Sequence, residues 1–292
     1  MAIVSVENLK MSYDKGRVKA LKGVTFDVEE GEIFGLIGPD GAGKTSLFRI
    51  LTTLLLADSG KAVVDGMDVV NDYKKIRQHI GYMPGRFSLY QDLTVEENLS
   101  FFATVFNTTI EENYHLVEDI YRQIEPFKKR KAGKLSGGMK QKLALSCALI
   151  HAPHVLFLDE PTTGVDPVSR KEFWEMLQKL KKNFKLSIVV STPYMDEALQ
   201  CDRIALIQDG QFLTIDTPEN IIRTYTQTLW SLRSDKMHKL LTDLRGIDGV
   251  KTAFAFGENH HATIDTSVLT VDSLRNRLVS LGHRNIVIEV VE

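Results

Sequence analysis

The first segment with chemical potential is a glycine-rich stretch, GPDGAGKT, over residues 38–45. It has the spacing G-x-x-x-x-G-K-[ST] of a phosphate-binding loop, between an apolar strand pattern and a helical pattern. Glycines allow successive backbone N–H groups to face one anion, and the start of a helix adds partial positive charge. We therefore expect Lys44 to reach phosphate oxygens and the Thr45 hydroxyl to bind Mg²⁺.

An acidic pair provides the second candidate, at the end of the apolar run VLFLDE over residues 155–160. The run predicts a buried strand, and ligands of open α/β sheets bind at the carboxyl ends of such strands. Asp159 is expected to hold Mg²⁺, usually through water, and Glu160 to orient and deprotonate an attacking water. Alone the pair would mean little, but a phosphate-binding loop upstream makes it specific.

A third segment, LSGGMKQK over residues 135–142, lies between these two. Ser136 is a favourable N-cap for the apolar helix that follows, which is one interpretation. The other is a second anion site, formed by the serine hydroxyl and by backbone N–H groups at the start of the helix.

Taken together, the loop, LSGGM and VLFLDEP resemble the ATP-binding subunit of an ABC transporter, and the segments GPDGAGKTSL, GVDPVSR and YMDEA are most similar to drug-efflux exporters. The resemblance covers about residues 1–225 and implies ATP and Mg²⁺ as ligands. The residues it places at ATP are Tyr13, Gly38, Pro39, Asp40, Gly41, Ala42, Gly43, Lys44, Thr45 and Ser46.

The resemblance also assigns individual roles. Tyr13 matches the aromatic residue that stacks on adenine, with a surface tyrosine at a strand end as the alternative. Ser136, Gly137 and Gly138 match the segment that contacts the ATP of a second ATPase subunit. Asp166 matches the acidic residue of the loop that contacts that partner, and Glu160 and Lys44 match the catalytic residues.

Two positions depart from the family pattern. Where the family has a glutamine that contacts Mg²⁺ or water, this chain has Gly85, and where it has a histidine at the γ-phosphate, this chain has Pro193. Glycine offers no side chain, and proline has neither a polar side chain nor a backbone N–H. We expect ATP binding to be retained and hydrolysis to be weak in isolation, because positioning groups of this kind commonly carry about 10²- to 10³-fold in rate.

The surrounding patterns predict the elements that position these residues. Buried strands alternate with helices, as in a wound α/β core, and early alternating segments predict an antiparallel β subdomain. Thr94 followed by Glu97 predicts a capping box at the start of a helix. Residues 1–225 are therefore predicted to form a P-loop ATPase domain with a helical subdomain at about 86–152. Residues 226–292 show the order βαββαβ, which predicts a small ferredoxin-like α+β domain.

Composition limits the remaining choices. A formal net charge of −2 does not favour nucleic acid as a partner, and the basic run KKRKAGK at 128–134 is interpreted as a solvated loop. Two cysteines without metal-type spacing fit a reducing compartment. No signal-peptide pattern or membrane-spanning run is found, so we expect a cytoplasmic protein, peripheral on the inner face of the cell membrane.

The predicted function is thus to bind and hydrolyse Mg-ATP at a dimer interface and drive export by membrane-spanning permease subunits. A loop near Phe87–Tyr90, with exposed aromatic character, is expected to receive a helix of the membrane partner. The second ATPase subunit could be identical or different, and this chain could be a degenerate half that needs a competent partner. Two alternatives are kept: a soluble ABC ATPase acting on ribosomes or DNA, and an ATP-binding regulatory module without turnover. Fused halves or long coiled-coil insertions, typical of the soluble class, are not found in this sequence.

Overall fold

The computed structural model describes residues 2–224 and 228–291. The chain divides into two compact units, Met1–Ile221 and Ile222–Glu292. The boundary expected at 225/226 lies outside the described residues. The strands of the first unit are β1 (Ala2–Tyr13), β2 (Val18–Glu29), β3 (Ile33–Ile37), β4 (Ser59–Val64), β5 (Met67–Asp68), β6 (Ile80–Met83), β7 (Val155–Asp159), β8 (Ser187–Thr192), β9 (Arg203–Gln208) and β10 (Gln211–Asp216).

Seven α-helices of the described residues lie within this unit, and an eighth crosses the division. They are α1 (Lys44–Leu51), α2 (Tyr73–His79), α3 (Val95–Val105), α4 (Ile110–Tyr121), α5 (Gly137–Leu149), α6 (Pro167–Phe184), α7 (Met195–Ala198) and α8 (Pro218–Thr224). Helices α3, α4 and α5 fall inside the segment predicted to be a helical subdomain.

Two sheets organise the first unit. The antiparallel sheet has the strand order β2-β1-β4-β5, as the alternating N-terminal pattern predicted. The larger sheet has the order β10-β9-β3-β8-β7-β6 and is parallel except for β10, which forms a hairpin with β9. Every residue of β3, β7 and β8 is buried, which explains the apolar runs that make up β3, most of β7 and the middle of β8.

Local signals fix the ends of several helices. Thr94 and Glu97 form the predicted capping box at the start of α3, with each side chain bonded to the other residue's backbone N–H. Ser136 caps α5 by accepting a hydrogen bond from the Met139 N–H. Both helix starts predicted from the sequence are therefore confirmed. In each, a short polar side chain at the N-cap accepts a hydrogen bond from a backbone N–H that would otherwise be unpaired.

The second unit has the predicted order of elements. Its strands β11 (Thr228–Arg233), β12 (Val250–Phe256), β13 (Asn259–Ile264) and β14 (Val287–Val291) alternate with α9 (Met237–Arg245) and α10 (Val271–Ser280). They form one antiparallel sheet with the order β12-β13-β11-β14. Its core includes Trp230, Leu240 and Leu274, all nearly inaccessible to solvent. The predicted fold class, a P-loop α/β core with a small ferredoxin-like α+β unit, is confirmed.

Candidate nucleotide-binding site

The phosphate-binding loop connects β3 to α1 along the carboxyl edge of the parallel sheet. Two of its glycines are required by close backbone contacts. A Cβ atom on Gly38 would lie 2.2 Å from the Ile207 carbonyl oxygen, and one on Gly43 would lie 2.3 Å from the Ala20 carbonyl oxygen. Gly43 also has a φ of 107° and forms the N-cap of α1, so it turns the chain into the helix.

Lys44 is folded into this loop. Its side chain is 3% exposed, and its ammonium group donates to the carbonyl oxygens of Gly38 at 2.7 Å and Pro39 at 3.0 Å. A carboxylate oxygen of Glu160 lies 3.2 Å away. The buried lysine is therefore held by two carbonyls and one carboxylate, all groups that anionic phosphate oxygens can replace.

Thr45 and Asp159 meet at the same edge of the sheet. The Thr45 hydroxyl donates to Asp159 Oδ1 across 3.3 Å. The buried Ser191 hydroxyl, at the end of β8, donates to the same oxygen at 2.6 Å. The sequence alone does not assign Ser191 to the site, because alternation along a strand indicates only that one of Ser191 and Thr192 faces inward and not which one.

Glu160 follows β7 in a left-handed backbone conformation, with φ of 51°. Its N–H bonds to both oxygens of Ser191, the carbonyl at 3.0 Å and the hydroxyl at 3.1 Å. A non-glycine residue held in this region carries strain, which persists only where surrounding contacts fix it. The arrangement directs the Glu160 carboxylate toward Lys44, at the mouth of the loop.

Gly85 and Pro193 both lie at this edge. A Cβ atom on Gly85 would be 3.0 Å from the Asp159 carbonyl oxygen and 3.8 Å from Glu160 Cβ. Pro193 comes directly after β8, next to the Ser191 and Thr192 pair. The backbone thus places Gly85 beside the acidic pair and Pro193 at the same edge of the sheet, and neither residue has a polar side chain.

Aromatic residues flank the site on other strands. Tyr13 ends β1, is 37% exposed and places its hydroxyl 3.0 Å from that of Ser46 in the first turn of α1. Burial, reinforced by the nearby Asp159 carboxylate, raises the pKa of Tyr82 to about 12, so its phenol stays protonated at neutral pH. Adenine stacking by Tyr13 stays a prediction.

The LSGGM segment has two surfaces. Ser136 and Gly137 are exposed, whereas Gly138 is buried. A Cβ atom on Gly138 would approach Ser169 Oγ to 2.6 Å and Ser169 Cβ to 2.8 Å. Gly138 therefore permits close packing of α5 against the first turn of α6, and only Ser136 and Gly137 present open surface.

Asp166 is exposed to solvent and is also the N-cap residue of α6. It caps α6 and accepts a hydrogen bond from the Ser169 N–H at 3.0 Å. That backbone hydrogen bond holds the pKa of the Asp166 carboxyl below its ordinary value, so it is ionised at neutral pH. The residue predicted to contact a partner ATPase is accordingly exposed, charged and fixed by its own helix.

Comparison with known proteins places this geometry in a family. A family model described as ABC transporter matches residues 21–163. The chain is 42% identical over 221 residues to a probable multidrug ABC transporter ATP-binding protein, YbhF, of Escherichia coli, covering 74% of this chain and 38% of YbhF. It is 33% identical over 280 residues to the doxorubicin resistance ATP-binding protein DrrA of Mycobacterium tuberculosis, covering 94% of this chain and 80% of DrrA.

Solved structures of ABC transporter ATPases are also similar to this chain. CbiO1 of Clostridium perfringens, part of the ABC transporter complex CbiONQ, superimposes with a TM-score of 0.68 at 28% identity, over 76% of this chain and 91% of CbiO1. The dimeric bacterial cassette MJ0796 gives a TM-score of 0.66 at 26% identity, over 73% of this chain and 98% of MJ0796. The chain belongs to the ABC transporter family and contains an ABC ATPase domain. It spans well under half the length of YbhF.

Proposed function

We propose that this chain is one ATPase half of an exporter, that it binds Mg-ATP at an interface with a second ATPase subunit, and that hydrolysis there drives partner permease subunits in the membrane. The observation that carries the proposal is the convergence of Lys44, Thr45, Asp159 and Glu160 at one sheet edge. The exposed Ser136 and Gly137 offer a second anion-binding surface for the ATP of the partner.

The donor set fits Mg²⁺. Thr45 Oγ1 and Asp159 Oδ1 already lie 3.3 Å apart, and a hard cation prefers hydroxyl, carboxylate and water oxygens. Thr45 and Asp159 would hold the ion, with Ser191 fixing the orientation of the carboxylate. When bound, Mg²⁺ supplies charge neutralisation at the β- and γ-phosphates.

Lys44 links nucleotide binding to the catalytic base. Within this chain, the buried ammonium group is paired with the carbonyl oxygens of Gly38 and Pro39 and with the Glu160 carboxylate. Phosphate oxygens replace these partners when ATP enters the loop, because they carry more negative charge. The exchange releases the Glu160 carboxylate, which then orients the attacking water and accepts its proton.

The defects of the chain act on its own ATP only. Gly85 lies beside Asp159 and Glu160, and Pro193 follows β8 at the same sheet edge, whereas Ser136 and Asp166 are exposed and belong to the surface that we assign to a partner. A homodimer would carry both defects in both sites. A heterodimer would combine this chain's intact LSGGM with the competent phosphate-binding loop of another subunit, and we therefore propose a different ATPase subunit as the partner.

An apolar groove supports a contact with the permease. It has a volume of about 380 Å³, and its apolar wall is formed by Leu54, Met83, Phe87, Phe102, Val105 and Phe106. We assign it to a helix of the membrane partner, since exposed apolar surface continues from its rim at Val105, which is 55% exposed. The expectation that the loop Phe87–Tyr90 is exposed is partly wrong, because Leu89 is buried and Phe87 is half-buried.

The proposed location follows from these partners. None of the helices formed by residues 2–224 and 228–291 is long and apolar enough to span a bilayer. The chain would therefore act from the cytoplasmic face, as a peripheral subunit held by the permease. Nucleic acid is not proposed as a partner, because the net charge of −2 supplies no excess of phosphate-binding groups.

Two variants of the intact exporter, purified from its native host, test the proposal. Ser136→Arg places bulk and positive charge where the ATP of the partner would bind, and should abolish ATPase activity. Glu160→Gln removes the base of the degenerate site and should cost far less. Ser100→Arg, at an exposed serine of α3 outside the groove, is the matched control for charge and should leave activity unchanged.

The outcomes separate the candidates. Equal losses from Ser136→Arg and Glu160→Gln, or a complex that contains only this ATPase chain, would refute the heteromeric assignment. An exporter whose ATPase rate is unaffected by either variant would favour the regulatory module.

A further inference from the structure

A compact group of metal-ligand side chains lies away from the nucleotide site. It consists of Asp65, His79 and His154, whose ligand atoms all lie within 4.8 Å of one another. It is the one such group of three found in the chain over residues 2–224 and 228–291. The function proposed above uses none of its members.

The three residues come from separate elements. Asp65 begins the turn between β4 and β5 of the antiparallel sheet, His79 is the last residue of α2, and His154 immediately precedes β7. The His154 N–H bonds to the His79 carbonyl at 2.8 Å, which fixes the two histidines side by side at the amino ends of β6 and β7.

Both imidazoles converge on one oxygen. Asp65 Oδ2 lies 2.6 Å from His79 Nδ1 and 2.8 Å from His154 Nδ1. The rings contact each other edge to face, with centroids 4.8 Å apart. Burial opposes ionisation of Asp65, but hydrogen bonds from the two histidines outweigh it and hold the pKa of the carboxyl below its ordinary value.

We propose that Asp65, His79 and His154 form a binding site for a divalent transition metal, with Zn²⁺ as the ion that fits best. A set of two imidazole nitrogens and one carboxylate oxygen favours zinc, cobalt and nickel over hard cations such as Mg²⁺ and Ca²⁺. The side chains are 21%, 40% and 57% exposed, for Asp65, His79 and His154 respectively. Solvent can therefore complete a four-coordinate shell as the fourth ligand.

The movement required of the Asp65 oxygen is small. Metal–ligand bonds of about 2.0–2.2 Å in a tetrahedron separate the ligand atoms by roughly 3.4 Å, so the Asp65 oxygen must retreat by about 0.7 Å from the two nitrogens. Asp65 lies in a two-residue turn with the exposed Gly66, outside the interior of either sheet, and has a φ of 52°. Each neutral imidazole frees its Nδ1 lone pair by carrying its proton on Nε2 instead.

The site would fasten the antiparallel sheet to the parallel sheet. Its two histidine ligands lie at the amino ends of β6 and β7, whereas Asp159 lies at the carboxyl end of β7, five residues beyond His154. At about 3.3 Å per residue the separation is roughly 16 Å. The metal would therefore stabilise the first unit without contacting ATP, because it binds a constellation that exists only in the folded chain.

The test uses the full chain, stripped with a chelator, free of nucleotide and of any affinity tag. We expect calorimetric titration with ZnCl₂ to give one site per chain, CoCl₂ to give the visible absorption of tetrahedral Co²⁺, and Zn²⁺ to raise the midpoint of thermal unfolding. His79→Ala combined with His154→Ala should remove the Co²⁺ band and weaken Zn²⁺ binding at least 100-fold. His238→Ala, at an exposed histidine of the other unit, should change neither.

Asp65→Asn guards against loss of folding, because asparagine keeps the size of the side chain and still accepts a hydrogen bond. It should retain the circular dichroism spectrum of the unmodified chain and bind Zn²⁺ at least 10-fold more weakly. The proposal is overturned if the unmodified chain shows no saturable Zn²⁺ binding below 100 μM, or if binding persists in the folded double histidine variant. Either result would leave the cluster as an ion pair shared by two histidines.

Discussion

Ser191→Ala is the most informative single change at the nucleotide site, because it removes one buried hydroxyl between the two acidic residues. In the unmodified chain this hydroxyl donates to Asp159 Oδ1 at 2.6 Å and accepts from the Glu160 N–H at 3.1 Å. After the change, Glu160 keeps its bond to the Ser191 carbonyl at 3.0 Å. Asp159 keeps only the longer contact with Thr45, at 3.3 Å.

The loss therefore falls mainly on the Asp159 carboxylate. A hydrogen bond to a charged group contributes about 1.5–3 kcal/mol, so we expect the free energy of unfolding to fall by about 2 kcal/mol. Outer partners that orient a metal-binding carboxylate typically contribute about 10- to 100-fold in metal affinity or activity. The Mg²⁺ concentration for half-maximal ATPase activity should accordingly rise by at least about tenfold.

Ser187→Ala is the matched control, since Ser187 is buried at the opposite end of β8 and accepts a hydrogen bond from the Gly31 N–H at 2.9 Å. Magnesium titrations of ATPase activity and denaturant melts should be compared for both variants. Both should lose stability, and only Ser191→Ala should shift the Mg²⁺ dependence. Parallel Mg²⁺ curves for the three proteins would refute a role for Ser191 in orienting Asp159.

Three further predictions concern binding, packing and thiol reactivity. Lys44→Ala should weaken ATP binding in calorimetry by at least about tenfold, because a charge-assisted phosphate contact is lost, and equal affinity would contradict the loop assignment. Gly138→Ala should cost about 1–3 kcal/mol of unfolding free energy through contact with Ser169, whereas Gly137→Ala, whose new Cβ meets nothing closer than 3.7 Å, should cost less. Burial raises the pKa of the Cys147 and Cys201 thiols above the ordinary value. At pH 8 neither thiol should therefore react with a thiol reagent until the chain is unfolded. Rapid labelling of the native protein would contradict their buried placement.

Much of the fold could be predicted from the sequence because its signals are local. Fully buried parallel strands appear as short apolar runs, as in β3, β7 and β8. Capping residues such as Thr94 and Ser136 mark helix starts that the structure retains. The order βαββαβ of the last unit follows from the same alternation of patterns.

Contacts between distant segments could not be predicted in this way. The shared oxygen of Asp65 brings together residues 14 and 89 positions away, and no local pattern relates them. Burial of Gly138 beneath Ser169 depends on how α5 packs against α6, so the sequence alone suggests an open anion-binding glycine there. The carbonyl contacts of Lys44 likewise depend on the folded path of the loop.

The central claim is that the chain retains ATP binding and lacks two groups needed for fast hydrolysis. Gly85→Gln combined with Pro193→His supplies both, and Gly85→Ala controls for crowding, because a Cβ atom there lies 3.0 Å from the Asp159 carbonyl oxygen. The most direct measurement is single-turnover ATP hydrolysis with protein in excess of ATP. We expect similar ATP affinity in all three proteins, a slow rate for the unmodified chain and for Gly85→Ala, and a rate at least about tenfold higher for the double variant. Brisk hydrolysis by the unmodified chain that is abolished by Glu160→Gln and not increased by the double variant would contradict the account.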